Sequence, residues 1–174
     1  DERQGDNLYS DSVLALRPAT GELKWYYQFT PHDLHDWDAT ETPLVVDAIY
    51  RGQNRKLLLQ GNRNGYFYVL DRVTGKPVWP IVERPVPASD VPGERAARTQ
   101  PVPTKPPAFA KQGFTENDVI DFTPEIKRLA LAEVRRYRIG PLYTPPSLEG
   151  TIVMPGAIGG GGWWRIWWSS QPAI

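Results

Sequence analysis

Short apolar runs separated by Gly- and Pro-containing turns fill the first half of the chain. Val13-Leu14-Ala15-Leu16 is followed by a turn at Ala19-Thr20-Gly21, then by the aromatic-rich Leu23-Lys24-Trp25-Tyr26-Tyr27-Gln28-Phe29. Pro43-Leu44-Val45-Val46 and Lys56-Leu57-Leu58-Leu59 come next. Tyr66-Phe67-Tyr68-Val69-Leu70 then leads through Val73-Thr74-Gly75 into Pro77-Val78-Trp79. β-Branched and aromatic residues in short runs with turn residues between them predict strands. One or two short helices are expected as well, the clear pattern being at 123–138. There Thr123 is a capping residue, Pro124 occupies the first turn, and Glu125 sits at the positive end. Ile126, Leu129, Ala130, Val134 and Tyr137 share one face.

The strand region contains an internal repeat. Residues 14–25 and 69–79 each read as an apolar strand, a Thr-Gly turn, and a Trp four residues after the Gly. Gly21 and Gly75 lie 54 positions apart. A unit of that length with four short strands is what a β-propeller blade requires. The competing reading is two unrelated hairpins with a common turn. As a blade, residues 13–17 and 23–29 are the last two strands of one unit. Residues 42–49, 56–60, 66–71 and 77–81 are the four strands of the next. In an antiparallel blade, the connection entering the first strand and the turn after the second emerge on one face. Residues 30–40 and 61–65 are therefore expected to converge.

Composition narrows the function classes. Lys+Arg and Asp+Glu number 20 each, which argues against a nucleic-acid partner. No run approaches the length needed to span a membrane as a helix. Cysteine is absent, excluding thiolate catalysis, zinc–thiolate sites and disulfides within these residues. Of 18 prolines, eight fall between Pro80 and Pro107. Residues 84–114 are therefore expected to form an extended surface excursion. The basic run Arg135-Arg136-Tyr137-Arg138 reads as solvated charge at a helix C-terminus.

Chemistry concentrates in Thr30-Pro31-His32-Asp33-Leu34-His35-Asp36-Trp37-Asp38-Ala39-Thr40, which holds both histidines. In extended backbone Asp36 and Asp38 point to the same side. One carboxylate could take a proton while the other helps hold a cation, which keeps both ionised near each other. Two other readings stand beside this one: turn capping by Asp and His, and a transition-metal pair from His32 and His35. Arg63, at the tip of Gln60-Gly61-Asn62-Arg63-Asn64-Gly65, offers a fork of donors for carbonyl or carboxylate oxygens.

These residues resemble the pyrroloquinoline-quinone (PQQ)-dependent alcohol and glucose dehydrogenases. The resemblance runs through Gly5-Asp6-Asn7-Leu8-Tyr9-Ser10-Asp11-Ser12, the 23–38 segment, Asn62-Arg63-Asn64-Gly65 and the Leu70-Asp71-Arg72 turn to Gly75. Pro85-Val86-Pro87 and Tyr143-Thr144-Pro145-Pro146-Ser147 point to the membrane-type glucose dehydrogenase branch. It implies an all-β chain, a fragment of an eight-bladed propeller, with PQQ above a Ca²⁺ or lanthanide ion. It implies that Asp36 is the catalytic base, that Asp36 and Asp38 are metal ligands, and that Arg63 binds the quinone oxygens. It further implies an alcohol or sugar substrate, a cytochrome c or quinone electron acceptor, and a periplasmic parent with membrane association open to it. Trp25 and Trp79 correspond to structural docking tryptophans.

The division expected is residues 1–83 as half a blade plus one blade, 84–141 as the excursion with its helix, and 142–163 as the start of another blade. The segment 164–174 departs from the family, and we read it as a shifted reading frame, which a matching C-terminal peptide from the natural source would disprove. The chain as a whole reads as the interior of a longer protein. A non-catalytic propeller scaffold, or an inactive remnant, is the alternative; a scaffold has no need to gather Asp36, Asp38 and Arg63 on one face.

Overall fold

The computed structural model describes residues 2–161, and seven strands and one α-helix form from them. Strand β1 (Ser12–Leu16) pairs antiparallel with β2 (Leu23–Gln28). Strands β3 (Leu44–Tyr50), β4 (Gln53–Gly61) and β5 (Phe67–Asp71) make an antiparallel sheet in that order. A separate hairpin joins β6 (Ile81–Pro85) to β7 (Thr99–Pro103). Helix α1 spans Pro124–Val134.

The repeat is visible in the backbone bonds. The Gly21 N–H donates to the Arg17 carbonyl at 2.8 Å, and the Gly75 N–H donates to the Asp71 carbonyl at 2.8 Å. The Arg17 N–H to Glu22 carbonyl and Asp71 N–H to Lys76 carbonyl bonds match in the same way, both at 2.8 Å. Gly21 and Gly75 both hold a left-handed backbone, φ 71° and 73°, which glycine adopts without steric cost. The first unit docks onto the second through Trp25. Its indole covers Gly75 so closely that an added Cβ would lie 2.7 Å from the ring, and its Nε1 donates to the Arg72 carbonyl at 3.2 Å. Trp79 instead packs within its own unit, edge-on to Tyr50 at 5.7 Å, with Nε1 donating to the Tyr50 hydroxyl at 2.9 Å.

Two expectations need correction. The fourth strand expected at 77–81 is reduced to one bridge, Leu70 to Pro77, and a single bond from the Val78 N–H to the Val69 carbonyl. Pro77 and Pro80 bracket the segment, and neither can donate to a ladder. The excursion, in turn, is neither wholly extended nor wholly superficial. Ile81 leaves the sheet to start β6, and β7 accommodates Pro101 and Pro103 by pairing along one edge only.

The core has two parts. Leu57, Leu59 and Val69 form one, covered by Leu44, Val46, Phe67, Val78 and Trp79. Trp37, Leu142 and Tyr143 form the other, packed by Tyr66, Val86 and Val102. The hairpin β6–β7 and the 142–143 segment thus meet beneath the 30–40 connection. Helix α1 begins where its cap predicts, with the Ile126 N–H donating to Thr123 Oγ1 at 3.2 Å, and ends at Val134, short of 138. Val134 is its one buried residue, and Ile126 and Leu129 remain exposed. The basic run is paired with acids: Arg135 with Glu116, Arg136 with Glu133, and Arg138 with Asp90. The Trp-rich segment 164–174 lies outside the described residues.

Candidate functional site

The 30–40 connection is built around Trp37, which is fully buried. The Asp33 carboxylate accepts from the His35 N–H at 2.8 Å and from the Trp37 N–H at 2.6 Å. Burial raises the Asp33 pKa, and these two N–H donors oppose the rise. The indole stacks on His35 at 4.3 Å and donates from Nε1 to the Gly156 carbonyl at 3.2 Å. With Trp37 pinned inward, the residues on either side, Asp36 and Asp38, are exposed. Asp36 sits in the left-handed region, φ 62°. The extended backbone expected there is therefore wrong, although both carboxylates line one cleft with Arg3, Asn7, Ser10, Asp11, Asp33 and Leu34.

Arg63 comes from the turn between β4 and β5. The Asn62 side chain shapes that turn by accepting from the Arg63 N–H at 2.6 Å, and Gly65 closes it by donating to the Asn62 carbonyl at 2.8 Å. The two connections meet as the blade topology predicted. Arg63 Nη1 donates to the Asp36 carbonyl at 2.9 Å and lies 3.5 Å from Asp38 Oδ2. The Arg63 side chain is only 12% exposed, whereas Asp38 is 63% exposed. The guanidinium is therefore a fixed fork. Its Nε is out of solvent and without a hydrogen-bond partner among the described residues.

Sequence reasoning missed what holds this turn in place. The Gly160 N–H donates to the Arg63 carbonyl at 2.7 Å, and the Phe109 N–H donates to the Gly65 carbonyl at 3.0 Å. A Cβ on Gly159 would fall 2.5 Å from Arg63 Cβ, so glycine is required for that approach. Glu41, whose charge interacts with Arg63, is buried, with neither carboxylate oxygen hydrogen-bonded among the described residues. Burial raises the pKa of Glu41, and the charge on Arg63 opposes that rise. Nothing in the local sequence marks Glu41, because its burial depends on the Gly-rich segment from far along the chain. Asp11, whose carboxyl oxygens are out of solvent, was missed as well, since the groups around it come from other segments.

The structure gives the two histidines structural work. His32 Nδ1 donates to the Gly5 carbonyl at 2.5 Å, while His35 Nε2 donates to the Thr144 carbonyl at 2.9 Å. Each ring is used to hold neighbouring backbone. Among the described residues no group of three or more His, Cys, Asp or Glu side chains could hold a metal ion. Asp36 and Asp38 offer two carboxylates, so further ligands would have to come from elsewhere.

Comparison with known proteins gives this arrangement its context. Residues 1–172 match the family described as "PQQ: Glucose/ethanol/alcohol dehydrogenase, beta-propeller domain". The match continues into the Trp-rich stretch that sequence reading set apart. The chain is 36% identical over 162 residues to quinate/shikimate dehydrogenase (quinone) of Acinetobacter baylyi, covering 92% of this chain and 20% of that protein. It is 33% identical over 157 residues to quinoprotein glucose dehydrogenase A of Acinetobacter calcoaceticus, covering 87% and 20%. The chain thus spans about a fifth of the length of these relatives. Among solved structures, a europium-containing methanol dehydrogenase superposes with a TM-score of 0.54 at 23% identity, over 95% of this chain and 22% of that one, a likeness of fold. With the repeated turns and the docked Trp25, these matches place the chain in the family of PQQ-dependent glucose/ethanol/alcohol dehydrogenase β-propellers, of which it forms a part.

Proposed function

We propose that this segment supplies the base and the quinone-binding arginine of a dehydrogenase that oxidises an alcohol or sugar hydroxyl. The observation that carries this reading is the junction of the two connections. A largely buried Arg63 is locked against the Asp36 backbone while the Asp36 and Asp38 carboxylates open to a shared cleft. A scaffold without chemistry has no use for a buried guanidinium whose Nε lacks a partner.

The residues fit the quinone and its cation in part. The partnerless Nε of Arg63 and the free carboxylate side of Asp36 are the kinds of group each would need. PQQ, when bound, supplies the hydride acceptor, and Ca²⁺ or a lanthanide supplies Lewis acidity. The chain's own contribution is simpler. Asp36 takes the proton from the substrate hydroxyl, and its carboxylate is within reach of the cleft. Asp38 and Asp36 hold the cation side of the site. Arg63 donates to carbonyl oxygen, held in place by the Asp36 carbonyl and by Gly159 packed on its stem. In the longer protein, bound PQQ would pass its electrons to a cytochrome c or quinone acceptor in the periplasm, with membrane association open to that protein.

The test is reconstitution of the longer protein that carries this segment. PQQ absorbance should be retained after desalting only when Ca²⁺ or a lanthanide is present, and Arg63→Ala should weaken that retention. Retention independent of any cation and of Arg63 would overturn the proposal.

A further inference from the structure

Asp11 carries a carboxyl that the reaction above does not use. Both of its oxygens are out of solvent and make no hydrogen bond of ordinary geometry among the described residues. Facing them are three donors from two separate segments: the Thr30 hydroxyl, the Ala39 N–H and the Asn62 side-chain amide. Thr30 and Asn62 are completely buried, and among the described residues Thr30 Oγ1 and Asn62 Nδ2 have no hydrogen-bond partner elsewhere. Buried polar groups left open toward one another are costly unless they serve as a set.

Their places in the chain show what the set does. Thr30 opens the 30–40 connection and Ala39 closes it, with Asp36 and Asp38 between them. Asn62 opens the 61–65 turn, and its Oδ1 accepts from the Arg63 N–H at 2.6 Å. The Asp11 backbone also anchors the incoming strand, accepting from the Phe29 N–H at 2.8 Å. Asp11 itself holds a left-handed backbone, φ 44°, a state uncommon for residues other than glycine and one that Asp tolerates. Asp33 faces the carboxyl from the first connection, the Tyr68 and Tyr143 hydroxyls interact with it from β5 and the 142–145 segment, and Arg3, Asp36 and Asp38 share the cleft.

We propose that Asp11 is a positioning residue: its carboxyl ties both ends of the 30–40 connection to the base of the 61–65 turn and so sets Asp36 and Asp38 against Arg63. The functional meaning of that register rests on the dehydrogenase reading, but the tether itself does not.

The test is residue-resolved hydrogen exchange on the chain, with the Arg63 Nε–H followed alongside the backbone amides. Asp11→Ala should speed exchange about tenfold in 30–40 and in 61–65 together, and at Arg63 Nε–H, while the β4–β5 core keeps its protection. Asp11→Asn keeps an acceptor and should restore both segments to within about twofold of wild type. Thr30→Val, which removes one donor, should loosen the distant 61–65 turn, and this decides the matter even where Asp11→Ala does not fold. A response confined to one segment, an Asp11→Asn protein as loose as Asp11→Ala, or an unaltered 61–65 turn in Thr30→Val would overturn the tether. None of these readouts involves cofactor or turnover, so a failure of the dehydrogenase reading, seen in Asp36 variants, stays separate.

Discussion

Gly21→Ala and Gly75→Ala form a matched pair that tests how one blade docks on the next. Both glycines occupy the same turn of the repeat at nearly the same φ, 71° and 73°. An alanine at either site bears the cost of a left-handed backbone, roughly 1–2 kcal/mol. At Gly21 the new methyl meets nothing within 4 Å. At Gly75 it would lie 2.7 Å from two carbons of the Trp25 ring, closer than carbon atoms tolerate. The indole must then move off the turn. Overpacking of this kind costs about 1–3 kcal/mol, and loss of the 3.2 Å bond from Trp25 Nε1 to the Arg72 carbonyl adds roughly 1 kcal/mol. Gly75→Ala should therefore be less stable than Gly21→Ala by about 2–4 kcal/mol. The assay is urea denaturation followed by far-UV circular dichroism and by Trp fluorescence. In a Trp25→Ala background the extra penalty at Gly75 should vanish, a coupling that a double-mutant cycle reads directly. Equal penalties at the two glycines, or a Gly75 penalty that survives removal of Trp25, would refute the docking argument.

Three more outcomes follow from the site. Burial, opposed in part by Thr30, lifts the Asp11 pKa from 3.8 to about 7, so the folded chain keeps a proton that the unfolded chain has lost between those values. Stability from this group is therefore present at low pH and lost as pH rises through about 7, a change on the order of 4 kcal/mol. Asp11→Asn should gain on the wild type between pH 4 and 8 in urea midpoints; a pH-independent difference would contradict the assignment. Arg63→Ala leaves the Asp36 carbonyl without its donor and should cost about 1.5–3 kcal/mol, with Arg63→Lys recovering only part, as thermal unfolding would show. Trp37→Ala empties the centre of the second core cluster and should cost about 3–5 kcal/mol, and Trp37→Phe, which loses only the Nε1 bond to Gly156 and some packing, much less.

The repeat was legible because its turn is written locally. A Thr-Gly pair followed four residues later by Trp marks the left-handed glycine in the sequence itself, although each indole packs on a distant partner, Gly75 and Arg72 for Trp25 and Tyr50 for Trp79. The convergence of Asp36 with Arg63 was legible for a related reason, since antiparallel connectivity alone brings 30–40 and 61–65 to one face. The left-handed backbone at Asp36 was not, because it depends on Asp33 capping the N–H groups of His35 and Trp37 while the indole reaches Gly156. Hairpin β6–β7 was hidden by its prolines. Pro101 and Pro103, two positions apart, were nevertheless a signal, since they leave one edge of a two-stranded ribbon free to pair. Glu41 and Asp11 were invisible because their burial comes from residues remote in sequence, Gly161 for the first and Asn62 for the second.

The most direct test of the central claim is turnover by Asp36→Asn in the longer protein, loaded with PQQ and with Ca²⁺ or a lanthanide, using alcohol- or sugar-dependent dye reduction. The amide keeps the shape of the side chain and the Arg63 bond to the Asp36 backbone but cannot accept the substrate proton. The account predicts that the variant retains the quinone and loses turnover by about 10²–10⁴-fold. Turnover equal to wild type would contradict it and remove Asp36 from the role of base.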